Sequence, residues 1–207
     1  MLSRWSSLIS QTRATTRTLD ELTILLAGAA SIAASLIVSP NAQGVVGAGL
    51  AILMVAIAIV DARRFIIPNE LTAAALALGF VNVVMQDSGL VLESLAGAAL
   101  RGAVMAIVFL SLRVLYRRIR GHDGIGLGDV KLAGVAGVWL DWWMLPVAIE
   151  IAALAAIAVY AVKFLYRRRP SARLKTKLPF GLFLAPAIWV GWLLEVLFEI
   201  PSASLLQ

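Results

Sequence analysis

Hydrophobic residues occur in seven long runs along the chain, and short polar segments separate these runs. Several runs reach the ~20 residues that an α-helix needs to cross the hydrocarbon core of a bilayer. The predicted spans are residues 22–39, 44–60, 71–86, 92–116, 127–140, 146–166 and 179–199. The pattern predicts an all-α protein, a polytopic bundle of about seven transmembrane helices. It also predicts three regions, namely a basic segment (1–21), one integral membrane domain (22–200) and a short tail (201–207).

The composition agrees with a membrane protein and narrows its chemistry. Only 14% of the 207 residues are charged and 61% are hydrophobic, whereas soluble domains carry about 25% charged residues. The chain contains no cysteine, which excludes a disulfide framework, a zinc–thiolate site and a cysteine nucleophile. The one histidine, His122, cannot by itself supply a multi-ligand metal site. We therefore expect no metal and no other cofactor.

The positive charges predict the orientation of the chain in the membrane. Lys and Arg precede the first run and follow the second, fourth and sixth runs. The alternate connections contain neither residue, and these are 40–43, 87–91, 141–145 and 200–207. By the positive-inside rule, the N-terminus is predicted to be cytoplasmic. The net charge of +6 is then explained by basic residues that set the topology and contact membrane lipids. Nucleic acid is therefore not an expected partner. Three tryptophans, Trp139, Trp142 and Trp143, are expected at the outer membrane boundary.

Two aspartates at the predicted cytoplasmic ends of spans are the main candidates for chemistry. Asp61 ends the second run, and Asp129 follows Gly126 and Gly128 at the start of the fifth run. A carboxylate at the end of a membrane helix is costly, so it is a functional candidate by default. Simpler roles are also open: Asp61 could pair with neighbouring arginines, and Asp129 could pair with Lys131 or cap a helix.

Two neighbouring carboxylates suit peptide hydrolysis. When they lie close together, both cannot ionise easily, so they share one proton. The ionised member deprotonates a water, while the protonated member donates to the carbonyl oxygen, and a proton held by the pair then passes to the leaving nitrogen. Because a helix dipole favours negative charge at its N-terminus, Asp129 is predicted as the resting base and Asp61 as the resting acid.

Glycines concentrate in and just before the fifth run, at positions 124, 126, 128, 134 and 137. Glycine allows membrane helices to pack closely. Gly126 and Gly128, directly before Asp129, could also allow a substrate backbone or a facing helix to approach the carboxylate. Both interpretations stay open at this point.

Three stretches, in the same order along the chain, resemble the type IV prepilin peptidases, a family of aspartic membrane proteases. They are Asp61–Thr72 with Ile-Pro-Asn, Gly124–Leu132 with Gly-x-Gly-Asp, and Leu178–Pro186 with Pro-Phe-Gly. The resemblance implies that Asp61 and Asp129 are the catalytic pair. It also implies a group of site-shaping residues: Pro68, Asn69, Gly126, Gly128, Lys131, Pro179, Phe180 and Gly181. Pro68 is expected to turn the chain between two spans, and Pro179–Gly181 either starts a helix or contacts the substrate.

The resemblance also implies a substrate and a location. The partner would be a prepilin or pseudopilin precursor, whose basic leader is cut at the cytoplasmic face of a prokaryotic plasma membrane. Longer members of the family carry a cysteine-containing insertion and methylate the new N-terminus. This cysteine-free chain looks more like the short, peptidase-only branch found with tight-adherence (Flp) pilus systems, so methyltransferase activity is not expected.

Other functions remain open from the sequence. An archaeal preflagellin peptidase would use the same chemistry. Presenilin-like proteases share Gly-x-Gly-Asp, but they pair it with Tyr-Asp and Pro-Ala-Leu, which differ from the residues here. A proton-coupled transporter would use membrane carboxylates differently, with sites near the midplane, and Arg101 and Glu150 inside spans could suit that class. A pure assembly scaffold would need neither aspartate.

Overall fold

The chain forms a bundle of α-helices in a computed structural model that describes residues 21–87, 89–121, 124–166 and 179–204. The helices are α1 (Glu21–Val38), α2 (Ala42–Arg64), α3 (Asn69–Gln86), α4 (Val91–Arg120), α5 (Leu127–Trp139), α6 (Met144–Tyr166) and α7 (Gly181–Ser204). Each predicted span corresponds to one helix, so the predicted all-α polytopic bundle is confirmed. The predicted basic segment, apart from Glu21, lies outside the described residues, as do His122 and residues 205–207.

Five of the described helices are long and apolar enough to cross a membrane. These are α1, α2, α4, α6 and α7. The helix α5 has only 13 residues and is therefore about 20 Å long at 1.5 Å per residue. The chain is thus a multi-pass membrane protein in which α5 is shorter than its neighbours.

The packing of the helices determines which of their ends meet. Helix α7 packs against α2, α5 and α6, and α3 packs against α2, α4 and α5. A short turn at Phe65–Pro68 joins the C-terminal end of α2 to the N-terminal end of α3. Phe65 takes a left-handed conformation with φ 55°, and its N–H donates to the Asp61 carbonyl at 2.9 Å. This end of the bundle also contains the N-terminal ends of α5 and α7.

Glycines bring α4 and α5 into backbone contact. A Cβ added at Gly137 would lie 2.5 Å from the carbonyl oxygen of Arg101 and 2.7 Å from Cα of Gly102. At Gly134, by contrast, an added Cβ would meet the Gly102 carbonyl oxygen at 3.5 Å, an ordinary contact. Close helix packing, one of the two roles considered for these glycines, therefore applies to Gly137, whereas Gly134 has room for a methyl group.

The tryptophan at the end of α5 does not lie at a membrane boundary as expected. Trp139 is 4% exposed, and its Nε1–H donates to the Ala75 carbonyl of α3 at 2.8 Å. The physical reason is that α5 ends inside the bundle, where the indole packs against Gly79. Trp142 and Trp143 are each 53% exposed.

A polar cluster closes the other end of α5. Arg101 of α4 lies 3.5 Å from an Asp141 carboxylate oxygen, and its Nε donates to the Gly137 carbonyl at 3.2 Å. The Asp141 N–H donates to Glu195 of α7 at 2.7 Å. Arg101 is thus a polar partner for the turn after α5, whereas Glu150 is exposed on α6.

Candidate active site

Asp61 lies in the last turn of α2, and its side chain is buried against the start of α7. It is 5% exposed, and one carboxylate oxygen, Oδ2, accepts a hydrogen bond from the Leu182 N–H at 2.8 Å. The Gly181 N–H also interacts with this carboxylate. The neighbouring Arg63 and Arg64 are exposed. Asp61 is therefore held by backbone donors of α7.

Asp129 lies in the first turn of α5 and is 9% exposed. Its Oδ2 accepts a hydrogen bond from the Gly126 N–H at 3.0 Å, so the side chain caps the helix on which it lies. The capping role considered from the sequence is thus present. The carboxylate also interacts electrostatically with Asp61 and with the Gly181 N–H. The contact that caps the helix is therefore compatible with a position beside Asp61.

The three sequence stretches converge through one isoleucine. Ile67, in the turn before α3, is 7% exposed. A Cβ added at Gly128 would lie 2.9 Å from the Ile67 Cβ, and one at Gly181 would lie 2.7 Å from its Cδ1. Ile67 thus fills the space between the N-terminal ends of α5 and α7. Gly128 makes room for this side chain, which supports a role in close approach.

The structure changes the electrostatic comparison of the two aspartates. From the sequence, Asp61 is only at a helix C-terminus, where the dipole disfavours negative charge. In the folded chain it also lies at the N-terminus of α7, with the Leu182 N–H as donor. Asp129 lies at the N-terminus of α5. Both carboxylates therefore face a helix N-terminus, and the dipoles no longer assign the resting base to Asp129.

Lys131 and Asn69 lie apart from the carboxylates. Two residues along a helix correspond to about 200° around its axis, so Lys131 points away from the side of α5 that carries Asp129. The Lys131 ammonium donates to the Asn69 amide oxygen at 2.6 Å. Both residues line a mainly apolar cavity of about 510 Å³ between α3, α4 and α5. The structure does not bring this pair to the aspartates, and the ion pair between Lys131 and Asp129 considered from the sequence is replaced by the contact with Asn69.

The prolines and the phenylalanine of the motifs set the ends of the helices. Pro68 immediately precedes α3 with φ −63°, as its expected turn role requires. Pro179 and Phe180 precede α7, and the Phe180 carbonyl accepts from the Leu184 N–H at 2.9 Å. The Phe180 ring lies 6.4 Å from that of Phe109 on α4, measured between ring centroids. Pro179 and Phe180 thus lead into α7, which begins at Gly181, and they orient the first N–H groups of this helix.

Two contributors to the site could not be identified from their own residue types. Leu182 acts through its backbone N–H, a group that every residue except proline has. Ile67 belongs to the first motif but is one of many apolar residues in it. The signal for Leu182 was indirect, since an expected helix start at Pro179–Gly181 leaves unpaired N–H groups that attract a carboxylate.

The arrangement can support acid–base chemistry. Two buried carboxylates that lie close together repel each other when both are ionised. Such a pair therefore tends to keep one proton. Such a pair provides both an acceptor and a donor of protons, as in aspartic proteases. The partners seen for both carboxylates are backbone N–H groups, which are fixed in place by helices.

Comparison with known proteins identifies the family. The sequence profile of the Type IV leader peptidase family matches residues 48–162, a range that includes Asp61 and Asp129. The chain is 34% identical to the prepilin leader peptidase/N-methyltransferase of Burkholderia pseudomallei (strain 1026b) over 163 residues, which cover 78% of this chain and 50% of the relative. It is 33% identical to the leader peptidase HopD of Escherichia coli over 133 residues, 64% of this chain and 82% of the relative.

A third relative is also covered over only about half of its length, like the one from Burkholderia pseudomallei. The prepilin leader peptidase/N-methyltransferase of Pseudomonas aeruginosa is 30% identical over 141 residues, 68% of this chain and 46% of the relative. The chain thus spans about half the length of the relatives that carry the double name. No solved structure matches the chain significantly. The profile match and the leader-peptidase relatives confirm the resemblance, and the chain belongs to the type IV leader peptidase family.

Proposed function

We propose that this protein is a membrane aspartic endopeptidase that removes the leader peptide from type IV prepilin-like precursors. The observation that carries the proposal is the carboxylate pair. Asp61 and Asp129 are both buried and interact with each other. They lie where the three stretches that resemble the family meet. The names of the relatives indicate the substrate class. Peptidase activity alone is proposed, without methyl transfer.

In the proposed mechanism, the two aspartates share one proton. The ionised carboxylate removes a proton from a water molecule, which attacks the scissile carbonyl carbon. The protonated carboxylate donates to the carbonyl oxygen. The resulting tetrahedral intermediate then collapses as the other carboxylate passes the proton taken from water to the leaving nitrogen. Peptide cleavage then needs neither a covalent intermediate nor a charged side chain besides the pair.

The charges around the site support a cytoplasmic orientation. Arg63 and Arg64 are exposed at the end of α2, and exposed arginines also end α4 at positions 117, 118 and 120. All five lie at the end of the bundle that contains the carboxylate pair. By the positive-inside rule, this end faces the cytoplasm of a prokaryote whose plasma membrane contains the protein. Precursors would then be cut at the inner membrane surface, where water is available.

Conservative substitutions of the aspartates test this function. Asp61→Asn and Asp129→Asn keep the side-chain shape and remove the ionisable group, while Asp87→Asn makes the same change in the α3–α4 turn. Each variant is reconstituted in lipid nanodiscs with a prepilin, and the product is identified by N-terminal sequencing. We expect each site variant to lose about 10²–10⁴-fold in cleavage rate and Asp87→Asn to cleave like the unmodified protein.

Two results would overturn the proposed function. One is absence of leader cleavage by the unmodified protein with prepilins from its own genome. The other is cleavage by Asp61→Asn and Asp129→Asn at the rate of the Asp87→Asn control.

A further inference from the structure

We infer that the N-terminal end of α7 positions the carboxylate pair and that Gly181 is the positioning residue. The inference rests on the proposed function, because it assigns a role within the same site. It adds α7, a helix that carries neither aspartate, to the two helices that carry them.

The first observation is the set of donors at the start of α7. The Leu182 N–H donates to the Asp61 carboxylate at 2.8 Å, and the Gly181 N–H interacts with both carboxylates. These N–H groups have no partners within α7, because the first four N–H groups of a helix lack intrahelical acceptors. Their dipoles offset part of the repulsion between two acidic groups. The pair can therefore be held close together by neutral backbone groups.

The second observation is that position 181 has no space for a side chain. An added Cβ would lie 2.8 Å from Oδ2 and 3.1 Å from Cγ of Asp61, and 2.7 Å from Cδ1 of Ile67. The carboxylate thus lies against the backbone at a distance that only glycine permits. Any larger residue must displace either the isoleucine or the carboxylate itself.

The third observation is that the start of α7 is fixed on several sides. Helix α7 packs against α2 and α5, the two helices that carry the aspartates. Phe180 contacts Phe109 of α4, and Ile67 packs between Gly128 and Gly181. Because these contacts fix the start of α7, a side chain added at Gly181 is expected to act on the carboxylates beside it.

The experiment compares two glycine-to-alanine changes on the same helix. Gly181→Ala places a methyl group against the Asp61 carboxylate. Gly191→Ala is the matched control, because its Cβ would meet only side-chain atoms, with Leu140 Cδ1 nearest at 3.0 Å. We expect Gly181→Ala to lower kcat for prepilin cleavage by roughly 10- to 100-fold, as a misplacement of about 1 Å does. KM should change little, and the two limbs of the pH–rate profile should move.

A double variant separates positioning of the carboxylate from simple crowding. Ile67→Val removes the Cδ1 atom that an alanine at 181 would meet, but it leaves the contact with Asp61. We therefore expect Gly181→Ala combined with Ile67→Val to stay as slow as Gly181→Ala alone. Restoration of kcat by Ile67→Val would overturn the inference, since crowding against Ile67 would then be the whole effect.

A second pair of variants addresses the donor itself and applies even if Gly181→Ala fails to insert. Leu182→Pro removes the N–H that donates to Asp61, at a place in the first helical turn where proline is tolerated. Leu182→Ala removes the side chain but keeps the N–H. A lower kcat and an altered pH–rate profile in Leu182→Pro, relative to Leu182→Ala, support the inference, and equal values in the two variants overturn it.

The outcomes distinguish this inference from the proposed function. If the unmodified protein cleaves prepilin and Gly181→Ala matches Gly191→Ala in kcat and pH profile, the positioning role alone is refuted. If the unmodified protein cleaves no leader, the proposed function fails first.

Discussion

The contact between α4 and α5 provides a quantitative test of the bundle, through the change Gly137→Ala. The new Cβ would lie 2.5 Å from the Arg101 carbonyl oxygen and 2.6 Å from its carbon. Carbon atoms in ordinary contact are about 3.5–4.0 Å apart, so the two backbones must separate by roughly 1 Å. Both partners are backbone atoms of helices and cannot rotate away. Overpacking of this kind costs about 1–3 kcal/mol of unfolding free energy.

The matched control is Gly134→Ala, one helical turn earlier on the same face of α5. Its Cβ would lie 3.5 Å from the Gly102 carbonyl oxygen and 3.6 Å from Ala106 Cβ, both ordinary contacts. Alanine also has a better helix propensity than glycine, by about 0.8–1.0 kcal/mol. We therefore expect Gly134→Ala to be neutral or stabilising.

The assay is thermal unfolding in nanodiscs of one lipid composition, followed by the fluorescence of the six tryptophans. We expect Gly137→Ala to have a lower unfolding midpoint temperature than the unmodified protein. The midpoint of Gly134→Ala should be equal to that of the unmodified protein or higher. Leader cleavage should fall with Gly137→Ala as well, since α5 carries Asp129. The reasoning is refuted if Gly137→Ala unfolds at the temperature of the unmodified protein, or if the two alanine variants are equally damaging.

Two further changes test contacts away from the aspartates. Trp139→Phe removes the hydrogen bond to the Ala75 carbonyl and should lower the unfolding free energy by about 1 kcal/mol. Trp142→Phe, at an exposed position, should leave it unchanged. Equal unfolding midpoints for the two variants would contradict a stabilising role of the buried Trp139 hydrogen bond. Hydrogen bonds from Ser94 and from the backbone of Gly89 and Leu90 hold the pKa of Asp87 below its ordinary value. A carboxyl group whose pKa is lowered by folding stabilises the folded state. This contribution is fully present above the ordinary carboxyl pKa of about 3.9, and it is lost as the pH falls through the pKa of the group in the folded protein. Asp87→Asn should therefore flatten the acid side of the midpoint-versus-pH curve, and an unchanged curve would contradict this assignment.

The helices were predictable from the sequence because lipid imposes a simple rule on long segments. A segment that crosses the bilayer must satisfy its own backbone hydrogen bonds and present apolar side chains. Runs such as 44–60 and 92–116 follow that rule. The helices Ala42–Arg64 and Val91–Arg120 extend them by one or two residues at the N-terminal end and by four at the C-terminal end. The two aspartates could also be singled out from the sequence, because charged residues are rare in such segments.

The details of the site depended on contacts between distant parts of the chain. Asp61 and its donor Leu182 are 121 residues apart, and no local pattern fixes which helix N-terminus faces which carboxylate. The same limit explains why the dipole argument, based on the helices that carry the aspartates, missed the contribution of α7. Lys131 shows a further limit, because its nearness in sequence to Asp129 does not bring it to the same side of α5.

The shortness of α5 affects how the protein meets its bilayer. A helix of 13 residues, about 20 Å long, cannot match the ~30 Å hydrophobic thickness of a typical membrane. A turn that follows so short a helix lies short of the headgroups on its side of the membrane, where irregular backbone is tolerated if neighbouring protein satisfies it. Arg101 and Glu195 satisfy polar groups of this turn, through an ion pair with the Asp141 carboxylate and a hydrogen bond from its N–H. The short helix thus places the polar cluster of Arg101, Asp141 and Glu195 between longer helices and not at the ends of all of them.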